Sequence, residues 1–222
     1  MNELGEMLDK FIGDAIMATF GTPLAHDDDP DRGVRAAINM IRALYGFNAR
    51  RVEEGHKPID IGVGINTDTI VSGNIGSPKR MDYTVIGDGV NLASRLESAC
   101  KQYGTRIFVS EYTFKQLKGT YRSREVDQVV VKGKTQPVKI VELLDYHTDE
   151  TFPNIVEALG RFRDGIQCYR ARKWTDAEEA FSEVLHLQPE DKLSQLYIDR
   201  CHHMIDDPPA DDWDGVWVMQ SK

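Results

Sequence analysis

Three short strings carry side chains whose types and spacing suit chemistry on a charged ligand. In LDKFIGDAIMATFG (8–21), Lys10 lies four residues before Asp14, and Gly13-Asp14 reads as a tight turn between two strands. A carboxylate on such a turn faces a ligand without helical crowding, and a lysine on the strand can serve another part of the same site. In RMDYTVIGDGVNLASRLES (80–98), Thr84, Asn91 and Arg95 stand seven and four residues apart. Asn91 and Arg95 fall at i, i+4 on a helix beginning near Asp88 and share one face. Asparagine offers a neutral donor, and arginine a planar fork suited to phosphate oxygens. In VVVKGKTQPV (129–138), Lys132 and Lys134 flank Gly133 at a hairpin tip. Taken singly, each string is also what a solvated surface or a lysine-guarded strand edge looks like. GNIGS (73–77) is glycine-rich but lacks the GxxxxGK[ST] pattern of a P-loop.

The elements that must position these residues mix helices and strands. Residues 6–20 predict a hairpin, followed by the loop GTPLAHDDDPD (21–31), whose aspartates read as solvated or as the first turn of a helix. Apolar residues at Val34, Ala37, Ile38, Ile41, Leu44 and Tyr45 predict one buried helical stripe, closed by Gly55. Ile59–Ile65 reads as a strand, Asn66-Thr67-Asp68 as a turn, and Thr69–Ile75 as its partner strand. A helix over 88–101, a strand at 106–109, a short helix at 111–117, and strands at 123–131 and 138–143 follow. At least two hairpins argue for an α+β domain with a largely antiparallel sheet. Three helices are expected near 152–172, 175–186 and 190–204. There Gly165, Tyr169, Trp174, Ala177, Ala180, Phe181 and Pro189 resemble one tetratricopeptide-type unit. In the tail, Trp213, Val216, Trp217 and Val218 are costly to leave wet and are expected to dock on something.

Composition narrows the function. The chain has 222 residues, 41% hydrophobic and 28% charged, with a net charge of −9. Residues 1–146 carry 20 acidic and 19 basic side chains, and residues 147–222 carry 16 and 8. No basic face for nucleic acid is expected from that balance. No apolar run approaches the ~20 residues of a membrane span, and MNELGEMLDK is no secretory signal. Three widely spaced cysteines, Cys100, Cys168 and Cys201, offer neither a disulfide framework nor a CxxC pair, so a reducing cytoplasm fits best. His202 and His203 beside Cys201 are a weak metal signal. The expected organisation is a first domain over 1–146, a helical segment over 147–205 and an acidic, aromatic tail over 206–222.

In order along the chain, LDKFIGDAIMATFG, GVGIN, GNIGS, KRMDYTVIGDGVNLASRLE and VKGK closely resemble the catalytic domain of class III nucleotide cyclases. The resemblance covers about residues 4–145 and looks most like the cyanobacterial adenylate cyclases. It implies a ferredoxin-like nucleotide cyclase fold acting as a head-to-tail homodimer with two shared sites. It also implies two divalent cations, Mg²⁺ or Mn²⁺, and cyclisation of ATP to cyclic AMP and pyrophosphate for intracellular signalling. By position, Asp14 resembles a metal aspartate, Lys10 the adenine-reading lysine and Thr84 the second purine-reading position. Asn91 resembles the residue that orients the ribose, Arg95 the transition-state arginine, and Lys132 the lysine that holds the terminal phosphates. Chemically, lysine only donates, which suits an acceptor on the adenine ring.

Two departures accompany the resemblance. The family's first metal aspartate lies in a strand upstream of LDKFIGD, which this chain does not include. The first strand and first two helices of the family fold are therefore expected to be missing, either because the chain is a fragment or because its start is set too far downstream. Residues 1–222 alone are expected to be weakly active or inactive, with sensor domains upstream in the parent chain. Asp68 stands where a turn glycine is common, which its turn propensity tolerates. The competing readings are a catalytically impaired, cyclase-like dimerisation or regulatory module and, less favoured because of Lys10, a guanylate cyclase.

Overall fold

The computed structural model describes residues 7–77, 80–129, 137–213 and 215. The chain divides into two compact units. One runs to Ser98 and takes in Ile107–Thr120. The other comprises Ala99–Arg106 and the chain from Tyr121 onward.

In the first unit, strands β1 (Met7–Ile12) and β2 (Ala15–Thr19) form the expected antiparallel hairpin. Its turn is made by Gly13, at φ +65°, and Asp14. Helix α1 (Asp29–Glu53) follows, with a proline in its first turn and Val34, Ala37, Ile38 and Ile41 buried along one stripe. Gly55, at φ +79°, lies just past its end.

The aspartates before and at the start of α1 do more than solvate a loop. Asp31 is buried and accepts from the backbone N–H of Lys118 at 2.9 Å and of Gly119 at 2.8 Å. Asp28 pairs with Arg32 and Arg35. Asp29 accepts from the backbone N–H of His26 at 2.7 Å. Gly21, at φ +84°, is required beside it, because a Cβ there would lie 2.6 Å from the Asp29 carboxylate.

Strand β3 is only Val63–Ile65. Upstream of it, the Asn48 side chain donates to Ile59 O at 2.7 Å and accepts from Ile59 N at 2.8 Å. Both ladder groups of Ile59 are thereby used, which explains why the strand expected over 59–65 is short. The expected pairing of this segment with 69–75 does not occur. Strand β4 (Val71–Ser77) pairs antiparallel with β5 (Arg80–Ile86), in register from Val71 opposite Ile86 to Ser77 opposite Arg80. Helix α2 (Asp88–Tyr103) follows and passes from the first unit into the second. Strand β3 instead pairs parallel with β6 (Ile107–Ser110). The short helix α3 (Glu111–Phe114) is capped by Ser110, whose Oγ accepts from Thr113 N at 3.2 Å.

Gly64 of β3 is where α2 meets the sheet. A Cβ built there would lie 2.1 Å from Ala93 O and 2.3 Å from Glu97 N, both backbone atoms of α2. No rotamer relieves a clash with backbone, so Gly64→Ala must push strand and helix apart. Overpacking of this kind costs about 1–3 kcal/mol or more. The expected result is a lower urea midpoint at unchanged m-value, read by circular dichroism.

In the second unit, β7 (Ser123–Val129) pairs antiparallel with β8 (Val138–Leu143). A bulge lies between Glu125 and Asp127. Helices α4 (Ile155–Arg170), α5 (Trp174–Leu187) and α6 (Lys192–Asp206) complete it. Gly165 lets α4 approach α5: a Cβ there would sit 2.7 Å from the Phe181 ring. Phe162, Phe181 and Tyr197 cluster, with centroids 5.0–5.8 Å apart.

Two buried arginines bind the strands to the helices within this unit. Arg124 of β7 contacts Glu142 of β8 at 2.7 Å and Asp191, the cap of α6, at 2.6 and 2.8 Å. Arg200 of α6 contacts Asp127 of β7 at 2.8 Å. Tyr103 donates to the same carboxylate at 2.6 Å. His202 pairs with Glu178 at 2.9 Å. Trp213 packs against Tyr169 and Trp174, with centroids 5.5 and 6.4 Å away. Val216, Trp217 and Val218 lie outside the described residues.

Candidate active site

Lys10 and Thr84 are 74 residues apart, yet Lys10 Nζ donates to Thr84 Oγ1 at 2.6 Å. The β1 hairpin supplies one and the β4–β5 hairpin the other, with Thr84 opposite Gly73 in the ladder. A third residue joins them. Thr84 Oγ1 donates to Asp9 Oδ2 at 2.9 Å, and that oxygen is 3.4 Å from Lys10 Nζ.

Consecutive residues of a regular strand point to opposite faces. Asp9 and Lys10 both reach Thr84 because the register of β1 shifts between Leu8 and Lys10. The bulge therefore puts an ammonium and a carboxylate on one hydroxyl. The Asp9 side chain is 0% exposed and that of Lys10 40%, so the lysine remains available to a ligand while the aspartate is sealed beneath it.

Asp14 is exposed at the tip of the same hairpin, on the two-residue turn. Asn91 and Arg95 lie one turn apart on α2 and are both exposed, while Leu92 and Leu96 between and beside them are buried. The start of α2 is held by Asn66. Its Nδ2 donates to Gly89 O at 3.1 Å, and its Oδ1 accepts from Ser110 Oγ at 2.6 Å. Gly89 is needed at that contact, since a Cβ would lie 2.6 Å from Asp68 Cβ. Asp68 itself accepts from Thr69 N at 2.8 Å, the local turn bond its position suggests.

The structure thus brings Lys10 to Thr84, and Asn91 to the same helix face as Arg95. Among the described residues, no hydrogen bond or ion pair joins Asp14, Asn91 or Arg95 to the Lys10–Thr84 pair. Lys132 lies outside the described residues. Three contributors escape a reading of the sequence. Asp9 falls on the wrong face of an unbulged strand. Asn66 looks like a simple turn residue. Gly64 shows only as a small residue within a strand.

For a hard divalent cation, the described residues of this site offer the Asp14 carboxylate. No group of three or more His, Cys, Asp or Glu able to hold a metal occurs among them. One exposed carboxylate supplies only one or two of the ~6 oxygen ligands that Mg²⁺ or Mn²⁺ takes, so the others would have to come from water or from groups beyond these residues.

The family model for the adenylate and guanylate cyclase catalytic domain matches residues 9–145. Among curated proteins, the chain is 41% identical over 150 residues to an adenylate cyclase of Anabaena cylindrica, covering 64% of this chain and 29% of that protein. It is 36% identical over 213 residues to the terminal-differentiation specific adenylate cyclase of Dictyostelium discoideum, covering 90% of this chain and 10% of that protein. The chain therefore spans less than a third of either relative. Among solved structures, the adenylyl cyclase CyaB from P. aeruginosa is 37% identical with a TM-score of 0.59, over 66% of this chain and 76% of that one. The guanylyl cyclase Cya2 is also 37% identical, with a TM-score of 0.56, over 64% and 71%. The α+β arrangement of hairpins, helices and a short parallel pair is that of the nucleotide cyclases. No helix among the described residues is long and apolar enough to cross a membrane. The chain belongs to the adenylate and guanylate cyclase catalytic domain family.

Proposed function

We propose that the polypeptide carrying this sequence is an adenylate cyclase that forms cyclic AMP and pyrophosphate from ATP in two sites shared across a homodimer. Similarity to the solved structures does not choose the purine, because an adenylyl and a guanylyl cyclase are equally identical to the chain. The observation that carries the choice is the 2.6 Å bond between Lys10 and Thr84. It fixes a donor-only side chain beside a hydroxyl, a pair matched to the ring acceptor and exocyclic amine of adenine.

In this reading Lys10 and Thr84 hold the base, and Asn91 orients the ribose. Arg95 meets the charge that develops on the α-phosphate as the 3′-hydroxyl attacks. Lys132 binds the terminal phosphates. Asp14 of one subunit and Arg95 of the other serve one site. Divalent cations, when bound at Asp14, neutralise phosphate charge and favour the ionised hydroxyl.

The test is product analysis by the full-length polypeptide with Mn²⁺ and either ATP or GTP. Cyclic AMP as the main product is expected; cyclic GMP, or no turnover of ATP, contradicts the proposal. Lys10→Glu should then lower ATP turnover and move the ATP:GTP preference about tenfold or more toward GTP, since it replaces a donor by an acceptor. It also sets a second carboxylate beside Asp9, so part of the lost ATP activity should not reappear as GTP activity.

A further inference from the structure

We propose that Asp9 is a positioning residue for purine selectivity. It holds the Thr84 hydroxyl proton, so that the Thr84 oxygen meets the substrate only as an acceptor. This rests on Lys10 and Thr84 being the purine-reading pair.

A threonine hydroxyl has one proton and two lone pairs, and is ambivalent toward a ligand when left alone. Here both ambiguities are removed. Lys10, which can only donate, takes one lone pair at 2.6 Å. Asp9 Oδ2, an acceptor at 2.9 Å, takes the proton. One lone pair remains. The relation does not reverse, because a carboxylate offers only acceptors. The Asp9 side chain is wholly shielded, and its Oδ1 has no hydrogen-bond partner among the described residues. The ammonium of Lys10 is 3.4 Å from Oδ2, so both groups that face this oxygen are donors.

The consequence lies in the substituent of the purine ring at its six position. Adenine carries an amine there, which donates to the free lone pair. Guanine carries a carbonyl, which would face an acceptor with no proton between them. A freely turning hydroxyl could serve either base. A hydroxyl whose proton is spent on Asp9 rejects the carbonyl by leaving it unpaired, the kind of mismatch that discriminates strongly.

The experiment offers the full-length polypeptide an equimolar mixture of ATP and GTP with Mn²⁺ and measures the ratio of cyclic AMP to cyclic GMP. That ratio is independent of the folded fraction, so a partly unfolded variant still reports. In Asp9→Asn and Asp9→Ser the obligate acceptor is gone, and the ratio should fall by about tenfold, with Asp9→Glu retaining more of it. In a Thr84→Val background, Asp9→Asn should change the ratio no further. An unchanged ratio in both Asp9 variants, while Lys10→Glu shifts it, overturns the role of Asp9 and leaves the purine-reading pair standing. An unchanged ratio in all three overturns both. A further shift in the Thr84→Val background overturns action through Thr84. Loss of all product in Asp9→Asn and Asp9→Ser alike also overturns it, since a residue that only orients a hydroxyl is dispensable for turnover.

Discussion

Asp14→Ala and Arg95→Ala are each expected to lower turnover of ATP by ~10²–10³, and mixing the two inactive proteins should restore activity. Both residues are exposed, one on a hairpin tip and the other on α2, so neither truncation removes a buried contact. Folding should be unaffected, as thermal melts will show. On the proposed reading, the loss is one of charge placed at the reacting phosphates. If each site draws Asp14 from one subunit and Arg95 from the other, a heterodimer of the two variants has one doubly damaged site and one intact site. Random pairing makes half of the dimers mixed, which returns up to about a quarter of wild-type activity. Recovery on mixing, measured as cyclic AMP formed at fixed total protein, supports the shared site. No recovery, with heterodimers demonstrated by differently tagged chains, contradicts it.

Removing Arg124 is expected to cost a large part of the stability. Arg124 is buried and satisfies two buried carboxylates, Glu142 and Asp191, while its guanidinium lies 4.5 Å from the centre of the Phe162 ring. Burial pushes Glu142 up to about 7, with the charge of Asp191 adding to the effect and Arg124 opposing it. Burial acts the same way on Asp191, but the charge and hydrogen bonds of Arg124 outweigh it and hold that carboxyl below its usual range. Arg124→Met keeps much of the volume and strands both carboxylates, at a cost of about 3–5 kcal/mol.

The pH dependence follows from the sign of those shifts. Without the arginine, both carboxyls take up protons more readily in the folded chain than in the unfolded one. A folded pKa raised above the unfolded value gives stability that is present at low pH and lost as pH rises through the folded value. The deficit of Arg124→Met relative to wild type should therefore be smaller at pH 5 than at pH 8. Urea midpoints at the two pH values measure it. An equal deficit at both would mean that the carboxylates escape to water in the variant.

The local structure around the candidate site residues was legible because each string is local. A glycine–aspartate turn needs only its neighbours to form the hairpin that presents Asp14, and i, i+4 spacing needs only a helix to align Asn91 with Arg95. The type of fold was legible from the alternation of hairpins and helices. Pairing between distant segments was not. Ile59–Ile65 has the pattern of a strand, yet Asn48, on the preceding helix, takes up the ladder groups of Ile59. Nothing in the spacing of Asn66 distinguishes a turn residue from a bridge between Gly89 and Ser110. Asp9 was hidden for a related reason. Strand alternation assigns it to the face opposite Lys10, and only the bulge reverses that assignment. Asp31 stood in an acidic run that reads as loop and first helical turn, and its two backbone partners lie more than eighty residues away.

The buried arginines of the second unit bear on where this protein can change. Arg124 and Asp127 lie within the stretch that matches the cyclase family, whereas Asp191 and Arg200 lie beyond its end at residue 145. The compositional shift near residue 147 falls inside the same unit. A boundary drawn where similarity stops therefore cuts through two ion pairs with little access to water. In lineages that keep the helices, positions 124 and 191, and positions 127 and 200, are constrained to vary together. A lineage that shed the helices would have to replace Arg124 and Asp127 or give them new partners, so the helical segment and the interior of β7 constrain each other.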